Sequence, residues 1–135
     1  MIRIIVVFAF SLLFLASCAV VPVKESGMTQ IKPAGGMHEE CISAKSGQKF
    51  IYSFFTSVPV DFNVHYHAGD KIFFPLEQRN VNSDDGTYVP DHEDIYCLMW
   101  TNNQNTQATL NYKYEIQPVV RTVTTPPASR SGQGY

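Results

Sequence analysis

Through most of the middle of this chain, hydrophobic and polar residues alternate with a period of two. From Gln107 to Gln117, Ala108, Leu110, Tyr112, Tyr114 and Ile116 are interleaved with Thr109, Asn111, Lys113 and Glu115. One face of such a strand is core and the other meets solvent. Val60 to His67 repeats the pattern, with Phe62, Val64 and Tyr66 opposed to Asp61, Asn63, His65 and His67. The same reasoning predicts strands over Lys49–Thr56, Lys71–Pro75, Gly86–Val89 and Ile95–Thr101, and a shorter one carrying Cys41 and Ile42. Turn-forming residues separate them at Ser57-Val58-Pro59, Ala68-Gly69-Asp70, Asn82 to Gly86 and Asn102 to Asn105. No stretch carries a long helical period. Six or seven short antiparallel strands predict an all-β fold, a small antiparallel β-sandwich of the jelly-roll or immunoglobulin type.

Both flanks lose this alternation. Residues 18–36 contain Pro22, Gly27, Pro33, Gly35 and Gly36 and read as a flexible tether. Residues 118–135, with Pro118, Pro126, Pro127 and a closing SRSGQGY, read as a disordered tail. The folded domain is therefore expected over 37–117. Ahead of the tether, an apolar run from Ile4 to Leu15 follows Arg3 and is interrupted only by Ser11. It is well short of the ~20 residues that cross a bilayer, which makes residues 1–17 a signal peptide.

That run closes on Leu15-Ala16-Ser17-Cys18, which resembles a bacterial lipobox. The resemblance implies cleavage before Cys18, a diacylglycerol on its thiol and an acyl chain on its new amine. At ~0.8 kcal/mol per buried CH₂, such an anchor does not return to water. Ala19 follows in place of the aspartate that resembles an inner-membrane retention signal, so the expected location is the outer membrane, facing the periplasm. Compartment then bears on the two remaining cysteines. Cys41 and Cys97 are a pair in an oxidising envelope, and a disulfide between them would stabilise a small domain by ~4 kcal/mol on the chain-entropy model.

The chain has 10 basic and 12 acidic side chains, with no basic stripe of the kind that binds nucleic acid. A family resemblance is carried by Gly86-Thr87-Tyr88-Val89, by Ile95-Tyr96-Cys97-Leu98-Met99-Trp100-Thr101-Asn102 and by the strand Leu110-Asn111-Tyr112-Lys113-Tyr114-Glu115. These are similar to the closing strands of the Golgi-dynamics (GOLD/emp24) β-sandwich. Phe50 to Phe54 followed by Val60-Asp61-Phe62-Asn63-Val64 resembles its earlier hairpin. The resemblance implies a lipid- or protein-interaction sandwich with no catalytic residues of its own. A lipobox stands here where that family has a coiled coil and a transmembrane helix, so its cargo-sorting role does not carry over.

The sharpest chemical feature is His65-Tyr66-His67, since residues i and i+2 of a strand share a face and two imidazoles there can hold Cu or Zn. The pairing also opens the cupin motif, but Pro59 and Lys71 occupy the positions of that motif's glycine and glutamate. Further ligands would have to come from His38, Glu39, His92, Glu93 or Asp94, while Asp91-His92-Glu93-Asp94 reads more simply as a solvated loop. No nucleophile motif stands out. Phe54-Phe55 and Phe73-Phe74 are adjacent pairs, so one member of each should leave the core, and Phe55 and Phe74 are candidates for a surface that docks an envelope protein, glycan or lipid. The expected function is a membrane-anchored, non-catalytic binding or structural module needing no cofactor. The alternative is a metal-binding protein using His65 and His67.

Overall fold

The computed structural model describes residues 23–118, which form an antiparallel sheet folded across its middle. Its strands are β1 (Val23–Ile31), β2 (Gly36–Ala44), β3 (Lys49–Ala68), β4 (Lys71–Tyr88), β5 (Asp94–Asn102) and β6 (Ala108–Gln117). The order across the sheet is β1-β6-β3-β5-β2, with β4 also paired to β3. One edge of β3 meets β6 from Lys49 to Thr56 and then β5 from Asp61 to Tyr66. Its other edge follows β4, with register shifts between Phe55 and Phe62 and between Val64 and Tyr66. Two wings result. The first holds β1, β6 and the leading half of β3 with the trailing half of β4. The second holds β2, β5 and the other halves of β3 and β4.

Alternation explains why the wings close on each other. Phe50, Tyr52, Phe54 and Thr56 point to the same face as Val60, Phe62 and Val64, because the bend at residues 57–59 preserves the parity. All seven are buried, and they meet Tyr96, Leu98 and Trp100 from β5 and Leu110, Tyr114 and Ile116 from β6. Trp100 spans the interior: its ring lies 5.3 Å from Phe62 in its own wing, and 5.8 Å from Phe54 and 5.2 Å from Tyr112 in the other. Its Nε1 is buried with no hydrogen-bond partner among the described residues.

The fold line is polar. Buried Asn102 donates from Nδ2 to the carbonyls of Ile31 (3.1 Å) and Thr106 (2.8 Å), while its Oδ1 accepts from the Gln104 amide at 3.0 Å. Asp61 accepts from the Asn80 amide and from Asn103 Nδ2, both at 2.9 Å. Asn80 sits at φ 55°, a left-handed conformation that asparagine tolerates better than most residues. At the far end of the β3–β4 hairpin the two-residue turn Gly69-Asp70 needs positive φ, and Gly69 supplies it at 60°.

Three expectations change. Residues 23–31 are not tether but an edge strand whose nine residues pair with β6 from Val23↔Ile116 to Ile31↔Ala108, and β2 already begins at Gly36. The expected short strands merge, because the breaks at Ser57-Val58-Pro59 and at Asn82 to Gly86 fall inside β3 and β4, as a bend and as continuous pairing with β3. The layers are therefore wings of one curled sheet. Cys41 and Cys97 form the expected disulfide as direct cross-strand partners, so the bond joins neighbours β2 and β5 within one wing. The signal peptide, Cys18 and most of the tail lie outside the described residues.

Candidate functional site

The outer face of the second wing gathers the disulfide and two of the histidines. Cross-strand register puts His65, Cys97 and Cys41 in one row across β3, β5 and β2, with Asn63, Met99 and Glu39 in the next. His65 is 3% exposed although it faces outward, because Phe74 covers it at a ring separation of 5.6 Å and Glu39 reaches over it. Its Nδ1 is 2.9 Å from Asn63 Oδ1, which only accepts, so the proton resides on Nδ1. That leaves Nε2 facing Glu39 Oε1 at 3.0 Å. Burial depresses the His65 pKa, opposed by the Glu39 charge and assisted by His67. His67 is exposed, edge-on to His65 at 5.3 Å.

Other sequence candidates lie elsewhere. His38 faces the interior, since β2 points its even-numbered side chains inward. It stacks on Trp100 and contacts Tyr112, and its Nε2 lies 3.0 Å from Glu40 Oε1. The same carboxylate oxygen accepts from the Tyr112 hydroxyl at 2.5 Å; burial first, and then this bond, push the Tyr112 pKa up to about 12. His92 joins Asp91 (2.5 Å) and Asp94 (3.5 Å) in the loop before β5 and packs against Tyr66 at 4.8 Å. The Asp91 hydrogen bond raises its pKa. Phe54 is buried and Phe55 is 58% exposed, as adjacency requires; Phe73 and Phe74 are both exposed, at 40% and 44%. That difference follows from β4 being an outer strand, where even the inward Phe73 reaches only the rim and stacks on Tyr66 at 5.1 Å.

No family model and no curated protein matches this chain. Among solved structures it is similar to Aeromonas hydrophila PliG, a periplasmic lysozyme inhibitor of g-type lysozyme, at 15% identity, covering 71% of this chain and 86% of that chain with a TM-score of 0.47. It is also similar to the Yersinia pseudotuberculosis-derived mitogen, at 13% identity over 79% and 93% of the two chains, with a TM-score of 0.45.

Sequence reading missed a concavity on the other wing. On the outer face of the first wing, rows Lys24–Glu115–Ile51–Thr87 and Ser26–Lys113–Ser53–Asp85 line a cleft of about 850 Å³. Its floor is shallow because Ser26, Ser53 and Gly86 are small. Lys24 pairs with Glu115 at 3.0 Å on one wall. A second hollow continues past Lys113 to Asn111 and Phe55, and Met28, 74% exposed, pairs with Asn111 beside it. The available signal was the run of small and charged residues at the odd positions of β6 and β3.

Proposed function

We propose that this protein is an outer-membrane lipoprotein, anchored through Cys18, whose folded sheet is a non-catalytic module that binds an envelope protein. The observation that carries this reading is the cleft on the first wing together with Phe55 and Met28 at its end. Charges of both signs along a floor of small residues, with exposed Phe55 and Met28 at one end, offer a protein partner ion pairs and an aromatic anchor together. Tyr52 donates to Asp84 at 3.0 Å and Tyr112 to Glu40, and both pKa values are raised, which keeps these hydroxyls protonated as donors and poor as nucleophiles. Anchoring is supported by the lipobox sequence Leu15 to Cys18.

A photoreactive residue at position 55 of the full chain, irradiated in intact cells, tests the reading. A discrete protein adduct is expected, and it should weaken when Lys113→Glu reverses the charge at the cleft centre. An adduct at 55 unaffected by Lys113→Glu, or none at all, overturns it. Labelling with a fatty acid tests the anchor separately: incorporation that survives Cys18→Ser removes the lipoprotein reading.

A further inference from the structure

Glu39, His65 and Cys97 each place one donor atom within 4.8 Å of the other two. The sheet itself fixes them there. His65 and Cys97 are cross-strand partners on β3 and β5, Cys97 and Cys41 on β5 and β2, and Glu39 lies two residues before Cys41 on the same face. His65 and Cys97 are buried, while Glu39 closes the corner from the solvent side. Asn63 holds the proton of His65 on Nδ1 and turns the Nε2 lone pair toward the Glu39 carboxylate. Nε2 and the Glu39 carboxylate oxygen, 3.0 Å apart, have the spacing that a shared proton or a metal cation bridges. A hydrogen bond that fixes the distal nitrogen of an imidazole is also what orients metal-ligating histidines.

The geometry points to a zinc site that opens when the Cys41–Cys97 disulfide is reduced, with Glu39, His65 and the Cys97 thiolate as ligands and Cys41 beside them as the fourth donor. In the disulfide the Cys97 sulfur is not a thiolate, which leaves too few donors to define a site. Cys41 is the exposed end of the bond, and Cys97 is the buried end, 4% exposed. A dithiol reductant therefore attacks the Cys41 sulfur: a mixed disulfide forms there, the S–S bond breaks, and its electron pair leaves on Cys97, directly beside His65. The second thiol of the reductant then displaces Cys41 as a thiolate, which takes up a proton, and the reductant departs as its own disulfide, two electrons having passed to the protein. Zinc binding forms the metal–sulfur bond on Cys97 and expels the proton from Cys41 when that sulfur joins. A mixed sulfur, nitrogen and oxygen donor set suits tetrahedral Zn²⁺. Of the histidine pair read from sequence, this site uses only His65.

Cobalt(II) reports thiolate ligation by its charge-transfer absorption, so it is the probe. The full chain is titrated with Co²⁺ as the disulfide form, and again after reduction by a dithiol and its removal without oxygen. Thiolate-to-cobalt absorption is expected in the reduced form only, at one metal per chain, and Zn²⁺ should bleach it. His65→Gln and Glu39→Gln should each weaken Co²⁺ binding by more than the about ten- to hundredfold that a lost orienting contact costs. Cys41→Ser, which frees Cys97 without any reductant, should bind Co²⁺ with one thiolate. Reduced chain that gives no such absorption overturns the site. So does binding unaffected by the His65 and Glu39 substitutions, which would mean a dithiol acting alone. Loss of the native near-ultraviolet circular dichroism in both the reduced chain and Cys41→Ser also overturns it, since the sheet must hold the ligands.

Discussion

The two wings each carry an outer strand that pairs on one side only, β1 on β6 and β2 on β5, and they secure it in different ways. In the second wing the device is covalent, a cross-strand bond from Cys41 on β2 to Cys97 on β5. In the first it is steric and polar: the ring of Tyr112 on β6 lies over Gly27 on β1, and its hydroxyl continues to Glu40 on β2. The covalent device leaves its face decorated with histidines and a carboxylate. The steric one leaves the outer face of its wing free to be small-floored and concave. Separate stabilising devices thus permit separate outer surfaces around one shared interior.

The shared interior is the place to break the comparison altogether. Trp100→Ala should cost about 3–5 kcal/mol in urea unfolding, because it removes the ring that touches aromatic residues of both wings. Both wings should melt together; a mutant that loses only one would show that they fold independently. Next comes the covalent device. Cys41→Ala or Cys97→Ala should lower stability by about 2–4 kcal/mol, with the double mutant no worse than either single, since the same bond spanning 56 residues is lost. Unequal effects in calorimetry would show that one cysteine also matters as packing. The steric counterpart is Gly27→Ala, whose new Cβ would stand 2.6 Å from the Tyr112 hydroxyl oxygen. Forcing that ring aside should cost about 1–3 kcal/mol, and Gly27→Ala combined with Tyr112→Ala should recover part of it.

Acidity separates two histidines of the second wing. Burial holds the folded pKa of His65 below its ordinary 6.5, so the unfolded chain binds the proton more readily. Stability from this group is present above that value and falls as the pH drops from 6.5 to the folded pKa, levelling off below it. His92 has the opposite sign, because Asp91 raises its pKa and protonation favours the folded form. Between neutral and mildly acid pH, urea midpoints of the wild type should fall relative to those of His65→Gln. A decline unchanged in His65→Gln would assign it to another group. The smallest effect belongs to Lys24→Ala, which breaks an ion pair whose lysine is largely exposed and should shift stability by no more than about 1 kcal/mol.

Period-two alternation made the strand content and the inward faces legible from sequence, down to Phe62 and Val64 on β3 and the even-numbered residues of β6. Compartment and count made the cysteine pairing legible. Glycine and proline misled at both scales. Gly27 marks a close approach of a tyrosine ring where it read as slack, and Pro59 marks a bend inside a strand where it read as an end. The pairing of Glu39 with His65 was out of reach, because it depends on β2 and β3 both flanking β5, and no local pattern encodes which strands become neighbours. The cleft was hidden for the same reason, as its walls come from four strands.

The tyrosine-over-glycine arrangement also occurs on the opposite side of the first wing, where Tyr52 on β3 covers Gly86 on β4 and a Cβ would again meet the hydroxyl at 2.6 Å. Each ring fits only above a residue with no side chain. Sliding β1 by one position would bring Ser26 or Met28 under Tyr112 and turn its faces over, and sliding it by two would bring Glu25 or Thr29 there. Neither alternative has room. The two glycines therefore act as locators, admitting one alignment of each outer strand and rejecting its neighbours.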